Sequence, residues 1–225
     1  MTRGTASEIG MTTQIYEYLL EKIQSCEYPP GEEINEKTLM EDTGFGRTPL
    51  REALHALQRD GLVEIFPRKG MRISPITTSG VNEVFQLRLL IEPEIVERYA
   101  PLYPRLALMD FADRFDQMTA ENLQDHYALD LDFHTFLMQI TQNQRLISVH
   151  REIMIHTQRL SRHAVKPGAA QLEQDRPEHL AIINALLAGD PPRARQALIS
   201  HINQSLVTAL RALHGITNGE QPAAG

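Results

Sequence analysis

Apolar residues recur at helical spacing through most of the chain, and the exception is a pair of short runs near residue 65. Over residues 14–24, Ile15, Leu19, Leu20 and Ile23 fall on one face, which predicts a helix. Tyr28-Pro29-Pro30-Gly31 stops it, because two prolines and a glycine cannot continue a helical ladder. A second helix is predicted over residues 36–43 with Leu39 and Met40 inward, followed by a turn at Gly44-Phe45-Gly46. A third opens with Thr48 as N-cap and Pro49 at the first helical position, and carries Leu50, Leu54 and Leu57 as its buried stripe. Asp60-Gly61 ends it. Residues 62–66 and 71–73 then read as two strands joined by the turn Pro67-Arg68-Lys69-Gly70.

After Ser74-Pro75 the strand signals cease, and six helices are predicted over 79–100, 105–118, 122–141, 145–164, 171–188 and 193–214. The pattern therefore predicts a mainly α chain: an N-terminal winged helix-turn-helix over 12–75, then an all-α antiparallel helical bundle over 79–214. The Gly-, Pro- and Ala-rich residues 215–225 read as a flexible tail.

Composition changes this picture little. Of 225 residues, 42% are hydrophobic and 23% charged, as in ordinary folded domains. One cysteine, Cys26, excludes an internal disulfide framework and a cysteine-rich zinc module. No run of about 18 apolar residues predicts a membrane span, and residues 1–10 lack the apolar core of a secretory signal, so a cytoplasmic protein is expected. The net charge of −7 argues against general nucleic-acid affinity. Its distribution argues otherwise. Between Arg47 and Arg72 six cations face three anions, so any DNA binding is expected on one face and sensitive to salt.

Three helices, a glycine-containing turn and a basic hairpin make up a winged helix-turn-helix. Opposite the leucine stripe of the third helix lie Arg51, His55 and Gln58, again at i, i+4 and i+7. Arginine near the start of a recognition helix can reach phosphates or guanine edges, and Arg68 and Lys69 at the hairpin tip can reach the DNA backbone or minor groove. A solvated helix face is the alternative for any one of these residues.

In the bundle, Leu123, Tyr127, Asp130, His134 and Leu137 share one stripe of the 122–141 helix. A carboxylate and an imidazole on a bundle-facing line need partners, and four residues apart they can act as two metal ligands of one helix. His179 and His201 stand on later helices. Three imidazoles and one carboxylate suit zinc, nickel or a similar divalent ion, with positions left for a ligand. An Asp130–His134 ion pair with two satisfied core histidines fits the spacing too. His150, His156 and His163 read as solvated or hydrogen-bonded, and Asp132 points to a different face.

Tyr28-Pro29-Pro30-Gly31, Arg47-Thr48-Pro49-Leu50-Arg51-Glu52-Ala53-Leu54 and Asp60-Gly61-Leu62-Val63 closely resemble the DNA-binding domain of the GntR family of regulators. The resemblance implies that Arg47 and Arg51 make the main DNA contacts, with Thr48 on a phosphate. Lys37 and Gly46 depart from it, standing where relatives often carry an arginine and a hydroxyl residue. Asp130-Leu131-Asp132-Phe133-His134, Asn143, His179, Gly189-Asp190 and His201 resemble the FCD ligand-binding domain of the FadR-type subfamily. That resemblance implies a metal held by Asp130, His134, His179 and His201, and a small carboxylate effector. Arg88 matches a position that could pair with the effector, its alternative being a pair with Glu92 one turn on. Together they imply a homodimeric, ligand-responsive regulator, most often a repressor, acting on operator DNA and not an enzyme. A metal-dependent hydrolase and a regulator with a purely structural metal are the rival readings.

Overall fold

Leu50, Leu54 and Leu57 are fully buried, and the N-terminal unit is assembled around them. The computed structural model describes residues 4–67, 70–119, 123–164 and 169–215. The chain divides into two units, Met1–Ile76 and Thr77–Gly225. In the first, α1 (Gly4–Gln24), α2 (Glu36–Thr43) and α3 (Arg47–Arg59) are joined by a sheet of β1 (Glu33–Ile34), β2 (Val63–Phe66) and β3 (Gly70–Ile73). Ile15, Leu19 and Ile23 of α1 meet the leucines of α3, each buried side chain contributing roughly 1.5–3 kcal/mol. Tyr16 Oη donates to Asp60 at 2.7 Å and Thr12 Oγ1 to Glu52 at 2.9 Å, tying α1 to α3 at two further points.

The sheet is antiparallel in the order β1-β3-β2, with Glu33 opposite Arg72 and Val63 opposite Ile73. The sequence pattern does not reveal β1, since two residues carry no alternation to detect. It also places the start of α1 ten residues late, because residues 4–13 have little apolar periodicity. A third difference concerns α3. Its N-cap is Gly46 without a side-chain bond, and the helix starts at Arg47, so Thr48 is the second helical residue rather than the cap. Gly44, in the left-handed region at φ 73°, ends α2 and lets the turn close in so few residues. Pro49 still needs no helical partner for its nitrogen, because the first four N–H groups of a helix have none.

The second unit is helical: α4 (Thr78–Tyr99), a 3-10 turn (Ala100–Leu102), α5 (Arg105–Asp116), α6 (Leu123–Gln139), α7 (Gln144–Ala164), α8 (Ala169–Leu187) and α9 (Pro191–Leu213). These are the six predicted helices, forming an antiparallel bundle in which α9 packs on α4, α7 and α8. Phe111, Phe115 and Phe133 stack edge to face at 5.3 and 5.6 Å and form the apolar wall behind the site. Gly189 at φ 68° and Asp190, which caps α9 through Arg193 N at 3.1 Å, make the sharp α8–α9 joint. That joint sets His179 and His201 side by side. Among the described residues no helix is long and apolar enough to cross a membrane. Arg68, Lys69 and residues 216–225 of the expected tail lie outside the described residues.

Candidate functional site

Asp130 and His134 on α6, His179 on α8 and His201 on α9 converge, with one donor atom from each lying within 4.8 Å of the others. The three imidazoles are buried. His179 Nε2 is 3.0 Å from Asp130 Oδ1, His134 Nε2 is 3.7 Å from the same oxygen, and His134 Nε2 is 3.3 Å from His201 Nε2. Behind each ring stands an acceptor. Nδ1 of His134 reaches Glu92 Oε2 at 2.7 Å, Nδ1 of His179 the carbonyl oxygen of Asp175 at 2.9 Å, and Nδ1 of His201 Glu178 Oε2 at 3.0 Å.

The outer bonds fix the inner chemistry. An imidazole that donates from Nδ1 presents a lone pair at Nε2 when neutral. Three such lone pairs and a carboxylate oxygen then face one another with no proton between them. That arrangement is repulsive unless a cation shares the space or some rings carry a second proton. The separations of 3.0, 3.3 and 3.7 Å lie close to those around a bound ion, whose donors at about 2.0–2.1 Å lie about 3.3–3.4 Å apart when tetrahedral and about 2.9 Å apart when octahedral. The donor set and its Nδ1 anchors therefore fit a divalent ion.

Burial pushes the pKa of His134 down, against the pull of Glu92, and that of His201 well down, helped by the neighbouring imidazoles. Burial lowers that of His179 as well, but its bond to Asp130 outweighs this and the net shift is upward. Burial opposes ionisation of Asp130, yet the imidazoles of His134 and His179 hold its carboxyl far below the usual range. Glu92 behaves likewise: burial opposes its charge, and Arg88 and His134 more than restore it.

Arg88 sits in this network rather than on the surface. It is 1% exposed and donates from Nε to Glu92 Oε1 at 2.7 Å, while its Nη2 stands 3.2 Å from both ring nitrogens of His134. It also lines a cavity beside the cluster together with Asp130 and His201. The intrahelical pair with Glu92 thus exists, and it is buried. His150, read as solvated or hydrogen-bonded, is buried with Nε2 3.4 Å from Glu92 Oε1. Asp132 is exposed and pairs with Arg114 at 3.3 Å, away from the cluster.

In the N-terminal unit the side of α3 opposite its leucines lies on the surface. Lys37, Arg47, Thr48, Arg51, His55 and Gln58 are exposed. Lys37, Arg47, Arg51 and His55 line one cleft with Phe66, Pro67 and Gly70 of the hairpin; Thr48 lies at the helix start outside that lining. Arg51 Nε donates to Glu36 Oε2 at 3.0 Å, and His55 Nδ1 lies 3.3 Å from Gln58 Oε1. Lys37 pairs with Glu41 at 3.4 Å. The exposed backbone N–H groups at the start of α3 add partial positive charge beside Arg47.

Sequence reasoning missed Glu92, Asp175 and Glu178 as anchors of the imidazoles. Asp175 stands one turn before His179, and Glu178 immediately before it, but which ring each one holds depends on packing between helices. It also missed His126 and Tyr127 as lining of the cavity.

Two protein families match the sequence. Residues 11–73 match the bacterial regulatory proteins of the gntR family, and residues 83–204, more than half the chain, match the FCD domain. Among curated proteins, the HTH-type transcriptional regulator YdhC of Bacillus subtilis (strain 168) is 27% identical over 197 residues, covering 84% of this chain and 87% of that protein. The HTH-type transcriptional repressor NanR of Enterobacter sp. (strain 638) is 28% identical over 224 residues, covering 88% and 85%. A GntR regulator from Rhodococcus sp. RHA1 superposes with a TM-score of 0.75 at 19% identity, over 88% of this chain and 97% of that one. The Zn2+-bound FCD domain of TM0439 superposes at 0.52 and 18% identity, over 63% of this chain and 99% of that one. At these identities the structural likenesses speak for the fold.

Proposed function

Since the chain belongs to the gntR family of bacterial regulatory proteins and its C-terminal unit is an FCD domain, we propose that it is a repressor controlled by a small carboxylate bound at a divalent metal ion. The observation that carries the reading is the inward convergence of three Nε2 atoms and Asp130, each ring anchored from behind at Nδ1. Asp130, His134, His179 and His201 would hold the ion, zinc or nickel by the softness of the donors. A bound ion supplies a positive centre with open positions for carboxylate oxygens. Arg88 adds a fixed guanidinium at the cavity wall. Zinc is supported by the Zn2+-bound FCD domain of TM0439, and the repressor sense by NanR, a transcriptional repressor.

On the DNA side, Arg47 and Arg51 read bases or phosphates, Thr48 takes a phosphate at the start of α3, and Lys37 and His55 flank them. Arg68 and Lys69, which lie outside the described residues, would add two cations next to Pro67 in the sequence. The chain acts in the cytoplasm as a homodimer on two half-sites. Exposed Leu90 (73%) and Leu106 (82%) in the C-terminal unit offer apolar surface that a partner copy could cover. No enzymatic role is assigned. Glu92 and Glu178, the carboxylates behind the cluster, each accept from an imidazole and are not poised as general bases.

The test is a zinc titration of the full chain against a chromophoric chelator. One ion per chain is expected, with affinity lowered at least tenfold in His179→Ala. Stoichiometric binding that survives both His179→Ala and His201→Ala would place the ion elsewhere.

A further inference from the structure

Arg88 brings a permanent positive charge to the edge of a cluster whose donors suit a cation. Its side chain is 1% exposed, anchored through Nε on Glu92 Oε1 at 2.7 Å, with Cζ 5.6 Å from the centre of the buried Phe85 ring. Nη2 lies 3.2 Å from both nitrogens of His134. Cε1–H sits between those nitrogens, so an atom equally near to both stands over the face of the ring and not in its plane. A guanidinium keeps its charge inside proteins, and this one is packed away from water.

Glu92 does not cancel that charge where the donor atoms meet. Its Oε2 accepts from Nδ1 of His134 at 2.7 Å, the nitrogen turned away from the cluster. Nη2 of Arg88 is 3.2 Å from Nε2, the nitrogen that faces His201 Nε2 at 3.3 Å and Asp130 Oδ1 at 3.7 Å. Coulomb energy falls with the inverse of distance, so at Nε2 the nearer charge prevails, and burial leaves little water to screen it. A guanidinium in this place can act in two ways. As a brace between α4 and α6 it would steady His134, and its loss would loosen the donor set and weaken the ion. As a fixed charge it opposes a second cation, and its loss would tighten the ion. The two roles carry opposite signs.

We propose that Arg88 is an electrostatic brake on metal binding. It weakens the hold of Asp130, His134, His179 and His201 on a divalent ion, so that the ion exchanges with solution instead of remaining a permanent part of the fold. Glu92 is the counterweight that keeps the brake partial. This rests on the metal reading above and adds to it the residue that limits the ion's affinity.

Competition of the full chain with a chromophoric chelator, run with zinc and with nickel, tests this. Arg88→Met is expected to bind each ion at least tenfold tighter than wild type and to release it at least tenfold more slowly. Arg88→Lys keeps the charge and should gain less than threefold. Since charge and not shape is the cause, the gains for zinc and nickel should agree within about threefold. Arg88→Met strands a buried carboxylate, so the substitution is made in Glu92→Gln as well, where none is left, and it should again tighten both ions at least tenfold. That background decides if Arg88→Met alone does not fold. Equal or weaker binding by a folded Arg88→Met chain in either background, a gain confined to one ion, or an equal gain in Arg88→Lys overturns this inference alone. Failure of wild type to take up either ion overturns it together with the reading it rests on.

Discussion

Glu92 has no exposed surface, yet it carries a charge that three side chains answer: Arg88, His134 and His150. Removing one partner of such a buried set leaves an uncompensated charge, which typically costs about 3–5 kcal/mol. Glu92→Gln is therefore expected to lower unfolding free energy in urea by about that amount. It should also weaken zinc by about 10- to 100-fold, because the Nδ1–H of His134 loses its charged acceptor. Acid sensitivity follows from the same residues. In the metal-free fold His134 and His201 have lowered pKa values, whereas unfolded imidazoles titrate near about 6.5. Below that pH the unfolded chain binds protons that the fold refuses, so stability falls as the solution is acidified. His179, with its pKa raised, opposes this: its contribution is full below about 6.5 and is lost as pH rises through its folded value. Asp130 and Glu92, both lowered, lose theirs only on acidification below the ordinary carboxylate range near about 4. His201 is held well below its ordinary value and His134 below it, against the one upward shift of His179, so the melting temperature in chelator should drop between pH 7 and pH 5. A flat or rising profile would mean that the His134 and His201 rings are not held neutral.

Among the elements, α3 shows two faces with separate duties. Leu57 is buried and Arg51 exposed, with a surface pair to Glu36 worth at most about 1 kcal/mol. Leu57→Ala should cost the N-terminal unit about 2–5 kcal/mol by calorimetry. Arg51→Ala should leave melting nearly unchanged and weaken operator binding at least tenfold at fixed salt. An unchanged affinity would remove Arg51 from the DNA contacts. Both faces were legible in the sequence, because a run of 13 helical residues repeats its pattern several times. The α6 stripe was legible for the same reason, and Asp130 and His134 share the face that meets His179 and His201. What escaped reading depends on proximity across the fold. Glu92 meets His134 from 42 residues away and Glu178 meets His201 from 23, distances at which helical periodicity carries no information. The two-residue strand β1 is too short to show a pattern, and the cap of α3 escaped because the backbone of a glycine decides it.

At the scale of the whole molecule, a chain of net charge −7 that reads DNA must do so through one cationic surface. Affinity is expected to fall steeply with added salt, with a slope that shrinks by about 1 when a phosphate-contacting cation is removed. Control by a ligand requires that the effector favour one state of the protein over another, which ordinarily shifts affinity at the second site by about 5- to 150-fold. In the proposed reading the metal centre is the place from which that leverage would be exerted. The most direct measurement is the Kd of the full chain for its operator, by fluorescence anisotropy at fixed salt, with and without a small carboxylate that binds the chain, in zinc and in chelator. The ligand should change the Kd by at least fivefold in zinc and leave it unchanged in chelator. The same shift in both, or none in either, would contradict a metal-centred sensor.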